Sequence, residues 1–122
     1  MKIFLIAVAA VMALGAQTAC GQEPGEKARI EFLLSSVEKA KELKFIRNGS
    51  EHDGKKAAAH LRMKLQKAGQ NVKTAEDFIR LCASGSSLSG QPYLIRYANG
   101  RTVRSADYFA EKLKEYRIAG PP

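Results

Sequence analysis

The sequence predicts an α+β fold, with about four helices packed on a small antiparallel sheet of two to three short strands in a single domain. Three observations predict it. Apolar residues recur at helical spacing in four separate stretches. Two Asn-Gly pairs, Asn48-Gly49 and Asn99-Gly100, adjoin short β-prone runs; this dipeptide marks a hairpin because both residues tolerate positive φ. The chain has 122 residues, enough for one domain and not two.

Residues 1–21 read as a secretory signal. Lys2 supplies the positive start, Ile3–Gly15 is a run of 13 apolar or small residues, and small residues follow to Gly21. The run is too short to span a bilayer, and no later stretch is apolar enough to do so. Cleavage after Gly15, Thr18 or Gly21 each leaves small residues before the cut. A lipoprotein acylated at Cys20 is the competing reading; Gln17 departs from the aliphatic residue expected three positions before such a cysteine. Either way the expected compartment lies outside the cytoplasm, a bacterial periplasm. Residues 22–122 form the expected domain. Loss of the leader leaves 19 Lys+Arg against 12 Asp+Glu, a net of +7, which favours anionic partners without selecting one.

From Glu26 to near Leu43 the pattern is helical, with Ile30, Leu33, Leu34, Val37 and Ala40 on one stripe. Leu43–Arg47 reads as a short strand ending at the Asn48-Gly49 turn, and Ser50–Gly54 as polar loop. Asp53 or Ser50 could cap the second helix, Lys55–Ala68, whose Ala58, Leu61, Leu65 and Ala68 share a face with His60 at its edge. Gly69 suits the position after its end. Six basic residues and no acid lie between Gly54 and Ala75. Thr74 and Asp77 have capping-box spacing for a third helix, with Ala75, Phe78, Ile79 and Cys82 inward. Pro92–Tyr97 alternates as a half-buried strand, and Arg101–Arg104 returns as its partner. Ser105 is the expected cap of the last helix, with Ala106, Phe109, Ala110, Leu113 and Tyr116 inside. Gly120-Pro121-Pro122 ends it.

Chemistry concentrates in the serine-rich Ser84–Gly90 loop. Ser84, Ser86, Ser87 and Ser89, with Gly85 and Gly90, could offer hydroxyls and N–H groups to an anion, or could satisfy their own backbone. No Gly-Lys-Ser/Thr follows, so the loop is not a P-loop. A serine/histidine hydrolase could draw on these serines, His52 or His60, and Glu51, Asp53 or Asp77, but it needs an imidazole within about 3 Å of the hydroxyl, and no Gly-x-Ser-x-Gly elbow exists. His60 is otherwise expected to bond a loop carbonyl, which could tie it to the serine loop. His52 and His60 are eight apart and Cys82 is expected to be a buried free thiol, a Cys20–Cys82 bridge or an interchain pair being the alternatives, so no metal-ligand spacing arises and no cofactor is expected. Arg47 and Arg96 on neighbouring strands could converge on a carboxylate or phosphate. With no Trp, and the Phe residues after the leader all on expected core faces or strands, no specific nucleic-acid platform is expected.

Ordered blocks along the chain carry a resemblance. Phe45-Ile46-Arg47-Asn48-Gly49, Glu51-His52, His60-Leu61 with Lys64, Thr74-Ala75-Glu76-Asp77-Phe78-Ile79, Ala83-Ser84, Ser86-Ser87, Ser89-Gly90 and Pro92-Tyr93 resemble the YfeK-like family of small exported bacterial proteins, a domain of unknown function. The similarity runs from about Ala28 to Ile95 and leaves the last helix to the periodicity alone. It implies an exported protein and carries over no activity, substrate or cofactor.

The resulting expectation is a non-enzymatic periplasmic module that binds a small anionic ligand, an envelope polymer or another protein; a small serine/histidine hydrolase is the alternative. The expected surface comprises Asn48, Glu51, His52, His60, Ser84, Ser86, Ser87, Ser89 and Tyr93, with Arg47, Lys64 and Arg96 as anion contacts.

Overall fold

The computed structural model describes residues 24–119, so the leader, Cys20 and the Gly120–Pro122 ending lie outside the described residues. Helix α1, Pro24–Glu38, buries Ile30, Leu33, Leu34 and Val37. It stops at Glu38 rather than near Leu43. The start of the second helix packs on its end: the Gly54 Cα lies so close to the Val37 and Ala40 carbonyls that a Cβ built there would meet Val37 O at 2.1 Å. The chain turns there instead of continuing, and Ala40 ends up only half-buried.

Strand β1, Lys44–Arg47, and strand β2, Ser50–His52, pair antiparallel through the Asn48-Gly49 turn, with φ of 51° and 83° at the two central residues. The Ser50–Gly54 segment is therefore partly strand and not loop. Three polar residues carry no alternation to betray it; the tight turn forces the pairing. Asp53 caps helix α2, Gly54–Ala68, by accepting from Lys56 N at 2.9 Å, and Ser50 does not. A short 3-10 turn, Gly69–Asn71, leads to helix α3, Ala75–Cys82, which carries both bonds of the Thr74/Asp77 capping box. Glu26 reaches across to accept from Ala75 N at 2.8 Å, and Arg29 ties Glu26 to Glu76.

Strands β3, Leu94–Arg96, and β4, Thr102–Arg104, complete a four-stranded antiparallel sheet of order β2-β1-β3-β4, one or two strands more than expected. Registers Phe45↔His52, Phe45↔Ile95 and Ile95↔Val103 put these four residues on one face, against the helices. The opposite face carries Lys44, Ile46, Glu51, Leu94, Arg96 and Arg104. Helix α4, Ser105–Ala119, lays Tyr108, Phe109, Leu113 and Tyr116 into the core. Ala110 is exposed and Tyr108 takes the buried place instead, because α4 meets α1 and α3 as well as the sheet and needs a wider face. Ser105 is no side-chain cap: its N–H donates to Tyr93 O at 2.9 Å, while its Oγ is buried without a hydrogen-bond partner. Aromatic pairs knit the layers, Phe78–Phe109 at 6.1 Å and Phe45–Tyr93 at 5.1 Å between centroids. Cys82 is a buried free thiol whose pKa burial pushes up, so it behaves as a small apolar residue.

Candidate functional site

The serine loop is a small hairpin in its own right. Gly85 bridges Pro92, Ser86 N donates to Gln91 O at 2.9 Å, and Gly90 N donates to Ser86 O at 3.0 Å. The Ser86 hydroxyl accepts from the N–H groups of Leu88 and Ser89 at 3.2 Å each, the local bonding that lets a serine organise a turn. Ser84 Oγ donates to Ile79 O at 2.6 Å and helps end α3. Gly85 has to be glycine: a Cβ would lie 2.9 Å from Gln91 O. At the tip, Leu88 is 99% exposed.

Asn48 fastens this hairpin to the β1–β2 turn. Its amide donates to Ser86 Oγ at 3.4 Å, and its carbonyl oxygen accepts from Ser89 Oγ at 2.6 Å. Tyr93, just past the loop, is buried and carries the second junction. Lys64 on α2 donates to the Tyr93 hydroxyl at 3.0 Å and to Gly85 O at 2.8 Å, with its ammonium 4.9 Å from the Tyr93 ring centroid. His60 Nε2 lies 3.1 Å from the same hydroxyl. Lys64 can only donate, so the phenol keeps its own proton for His60 Nε2, which accepts when the ring is neutral. Burial first, and then the charges of Arg47, Lys64, His52 and Lys67, hold the His60 pKa below the ordinary histidine value, which favours that neutral form.

Between α2, the hairpin and the β1–β2 turn lies a groove of about 510 Å³, in the size range of small-molecule sites. Arg47, Asn48, His60 and Lys64 line one part of it, with Ser86, Ser87 and Tyr93. Met63, Lys67, Ala68, Leu81 and Leu88 complete the lining. No carboxylate lines it among the described residues. Lys64 bonds only neutral oxygens there, and Arg47 and Lys67 make no ion pair among the described residues. Arg62, on the other flank of α2, is neutralised instead by Glu31 at 2.8 Å and Glu38 at 3.2 Å. Within the basic run of α2, Arg62 is thus paired with carboxylates, while, among the described residues, Lys64 and Lys67 are not.

The remaining expected residues fall elsewhere. Ser84 and Ser89 support the hairpin from outside the groove lining. His52 lines a neighbouring cavity of about 310 Å³ that shares Arg47 and His60 with the groove, and its Nε2 is buried without a hydrogen-bond partner. Glu51 pairs with Arg96 on the far face of the sheet. Arg47, two residues from Phe45, is on the helix-facing side, so Arg47 and Arg96 point to opposite faces and do not converge. His60 bonds Tyr93 rather than a loop carbonyl or a serine. The Ser84, Ser86 and Ser89 hydroxyls are engaged in the loop, and among the described residues no serine hydroxyl bonds His60 or His52, so no Ser–His–acid relay is formed. They also hold no cluster of three or more metal-ligating side chains, and no helix among them is long and apolar enough to cross a membrane.

Sequence reasoning passed over Met63, Leu81 and Leu88, and took Lys67 only as part of the basic run of the second helix, an anion-binding or merely solvated face. The signal for Met63 and Lys67 was present: His60, Met63, Lys64 and Lys67 fall at i, i+3, i+4 and i+7, one helical stripe beside the apolar one. Leu88, a lone apolar residue in a run of serines, was the other.

A model of a family of unknown function, DUF5329, matches residues 24–117. That match reaches through α4, beyond the Ile95 limit of the blocks quoted from the sequence. Over 68 residues the chain is 44% identical to the uncharacterized protein YfeK of Salmonella typhimurium, covering 56% of this chain and 57% of that protein. The match therefore spans little more than half of that relative's length. No solved structure matches.

Proposed function

The chain belongs to the DUF5329 family of unknown function, and from that premise we propose that it is an exported, non-enzymatic binding module whose groove takes an anionic ligand. One observation carries this reading: Arg47, Lys64 and Lys67 border a groove whose lining has no carboxylate among the described residues. Arg29 and Arg62, by contrast, are paired with carboxylates. Three cations that gather without counter-ions raise the local positive potential, and concave walls of low dielectric strengthen it. The depressed His60 pKa is consistent with the reading: after burial, the charges of Arg47, Lys64 and Lys67 are among its causes. Export is supported by the composition of residues 1–21.

Sulfate, titrated by calorimetry at low ionic strength, tests the reading. Binding is expected, weakening as salt rises. Arg47→Gln and Lys67→Gln should each weaken it about tenfold, the scale of one lost charge-assisted bond. Arg96→Gln, on the far face, should leave it unchanged. Equal losses from Arg96→Gln and Arg47→Gln, or no sulfate binding at all, would contradict the proposal.

A further inference from the structure

The large hydrophobic side chains that stand exposed among the described residues are Met63, Leu81 and Leu88, at 45%, 39% and 99%, and all three line the cationic groove. They come from three separate elements: α2, α3 and the serine hairpin. Scattered single apolar residues on a surface need no explanation, but three converging on one concavity do. Along α2 the stripe His60, Met63, Lys64, Lys67 covers about 10 Å and places an apolar side chain among the cations. The groove therefore offers two chemistries at once, with charge uncompensated and apolar surface uncovered.

We propose that this groove takes a single-chain amphiphile with a phosphate head, the head meeting Arg47 and Lys64 and the alkyl chain lying against Met63, Leu81 and Leu88. The inference rests on the anion-binding reading above and adds the ligand's class. A dianionic head matches a site with three cations and no acid better than a monoanion does. A flat bilayer surface would meet the projecting Leu88 but not Met63 and Leu81, which lie within the concavity. A peptide would look for free backbone groups, and several beside the groove are already engaged: Gly85 O by Lys64, Ser86 N by Gln91 and Ser86 O by Gly90. Leu88, at the tip of a hairpin held by Asn48, is placed to close over a chain lying beneath it.

The test compares methyl phosphate, monomeric dodecyl phosphate and dodecyl maltoside on the purified protein at one pH and salt. Each buried methylene is worth about fourfold in affinity, so covering three or four of them should make dodecyl phosphate bind about 100-fold tighter than methyl phosphate. Dodecyl maltoside, with the same chain and no charge, should bind far more weakly than dodecyl phosphate. Leu88→Ser, at a fully exposed position where folding is not at stake, should weaken dodecyl phosphate about tenfold and leave methyl phosphate unchanged. Equal affinities for the two phosphates would overturn the amphiphile and leave the anion site standing. Binding of neither would overturn both. Dodecyl maltoside matching dodecyl phosphate would remove the role of charge and overturn the proposal. So would binding to phosphatidylglycerol vesicles without binding of monomeric dodecyl phosphate, which would assign the surface to a membrane instead.

Discussion

Replacing Gly54 by alanine is expected to destabilise the protein by about 2 kcal/mol and to lower its melting temperature by about 10 °C. The added methyl would sit 2.1 Å from Val37 O and 3.2 Å from Ala40 O. Both contacts are backbone, at the end of α1 where Val37 itself is buried in the core, so neither can swing aside as a flexible side chain would. Relief requires α2 to move off α1, and the Arg62 ion pairs to Glu31 and Glu38 span that interface. Helix propensity works the other way but offsets little, because Gly54 is the first residue of α2 and the preference of about 1 kcal/mol for alanine over glycine belongs to a helix interior. Thermal unfolding of Gly54→Ala therefore separates the two effects by sign. A variant as stable as the parent would mean that the α1–α2 junction is looser than its geometry implies.

The largest single loss is expected at Tyr93. This side chain is buried, packs on Phe45 at 5.1 Å and on the His60 ring at 5.9 Å, and bonds both Lys64 and His60 through its hydroxyl. Tyr93→Ala should cost about 4 kcal/mol, the scale for an emptied aromatic site, out of a total stability of about 5–15 kcal/mol. Tyr93→Phe keeps the ring and removes the oxygen. It should cost about 2 kcal/mol, because the Lys64 ammonium loses one of its two acceptors. Denaturant unfolding of the pair divides the role of Tyr93 between packing and hydrogen bonding. Tyr93→Phe as stable as the parent would show that the Lys64–Tyr93–His60 junction contributes nothing to the fold.

Much of this architecture is legible in the sequence because its signals are local. The α1 stripe, the Thr74/Asp77 capping box and the two Asn-Gly turns each follow from residues within a few positions of one another. What escapes is set by tertiary contact. The stop of α1 at Glu38 depends on Gly54, far along the chain. The β2 strand is polar throughout, and its pairing comes from turn geometry rather than from its own composition. Tyr108 takes the inward place expected of Ala110 because three elements converge on α4. The candidate site divides in the same way. Asn48, His60, Lys64, Ser86, Ser87 and Tyr93 meet in one groove, and each is of a type that singles itself out in a sequence. Met63, Leu81 and Leu88 do not, because an apolar residue left uncovered reads like one buried until the surrounding packing is known. Arg96 illustrates the converse. Its neighbouring strand position suggests a partner for Arg47, but the period-two alternation of the sheet turns it to the other face, where Glu51 neutralises it.

The central claim is that the groove's cations act together on an anion bound among them, and His60 reports on that directly. Its imidazole faces the groove, and burial first, then the charges of Arg47, Lys64 and Lys67 among others, depress its pKa. NMR titration of His60 with and without saturating sulfate, whose charge stays constant over the range, is the most direct measurement. Without sulfate, His60 should titrate below the ordinary histidine value. Sulfate neutralises part of the field that disfavours the imidazolium, so its binding should raise the midpoint. By linkage, sulfate should then bind more tightly as pH falls through that range. A His60 midpoint that does not move while sulfate binds elsewhere on the protein would contradict the account.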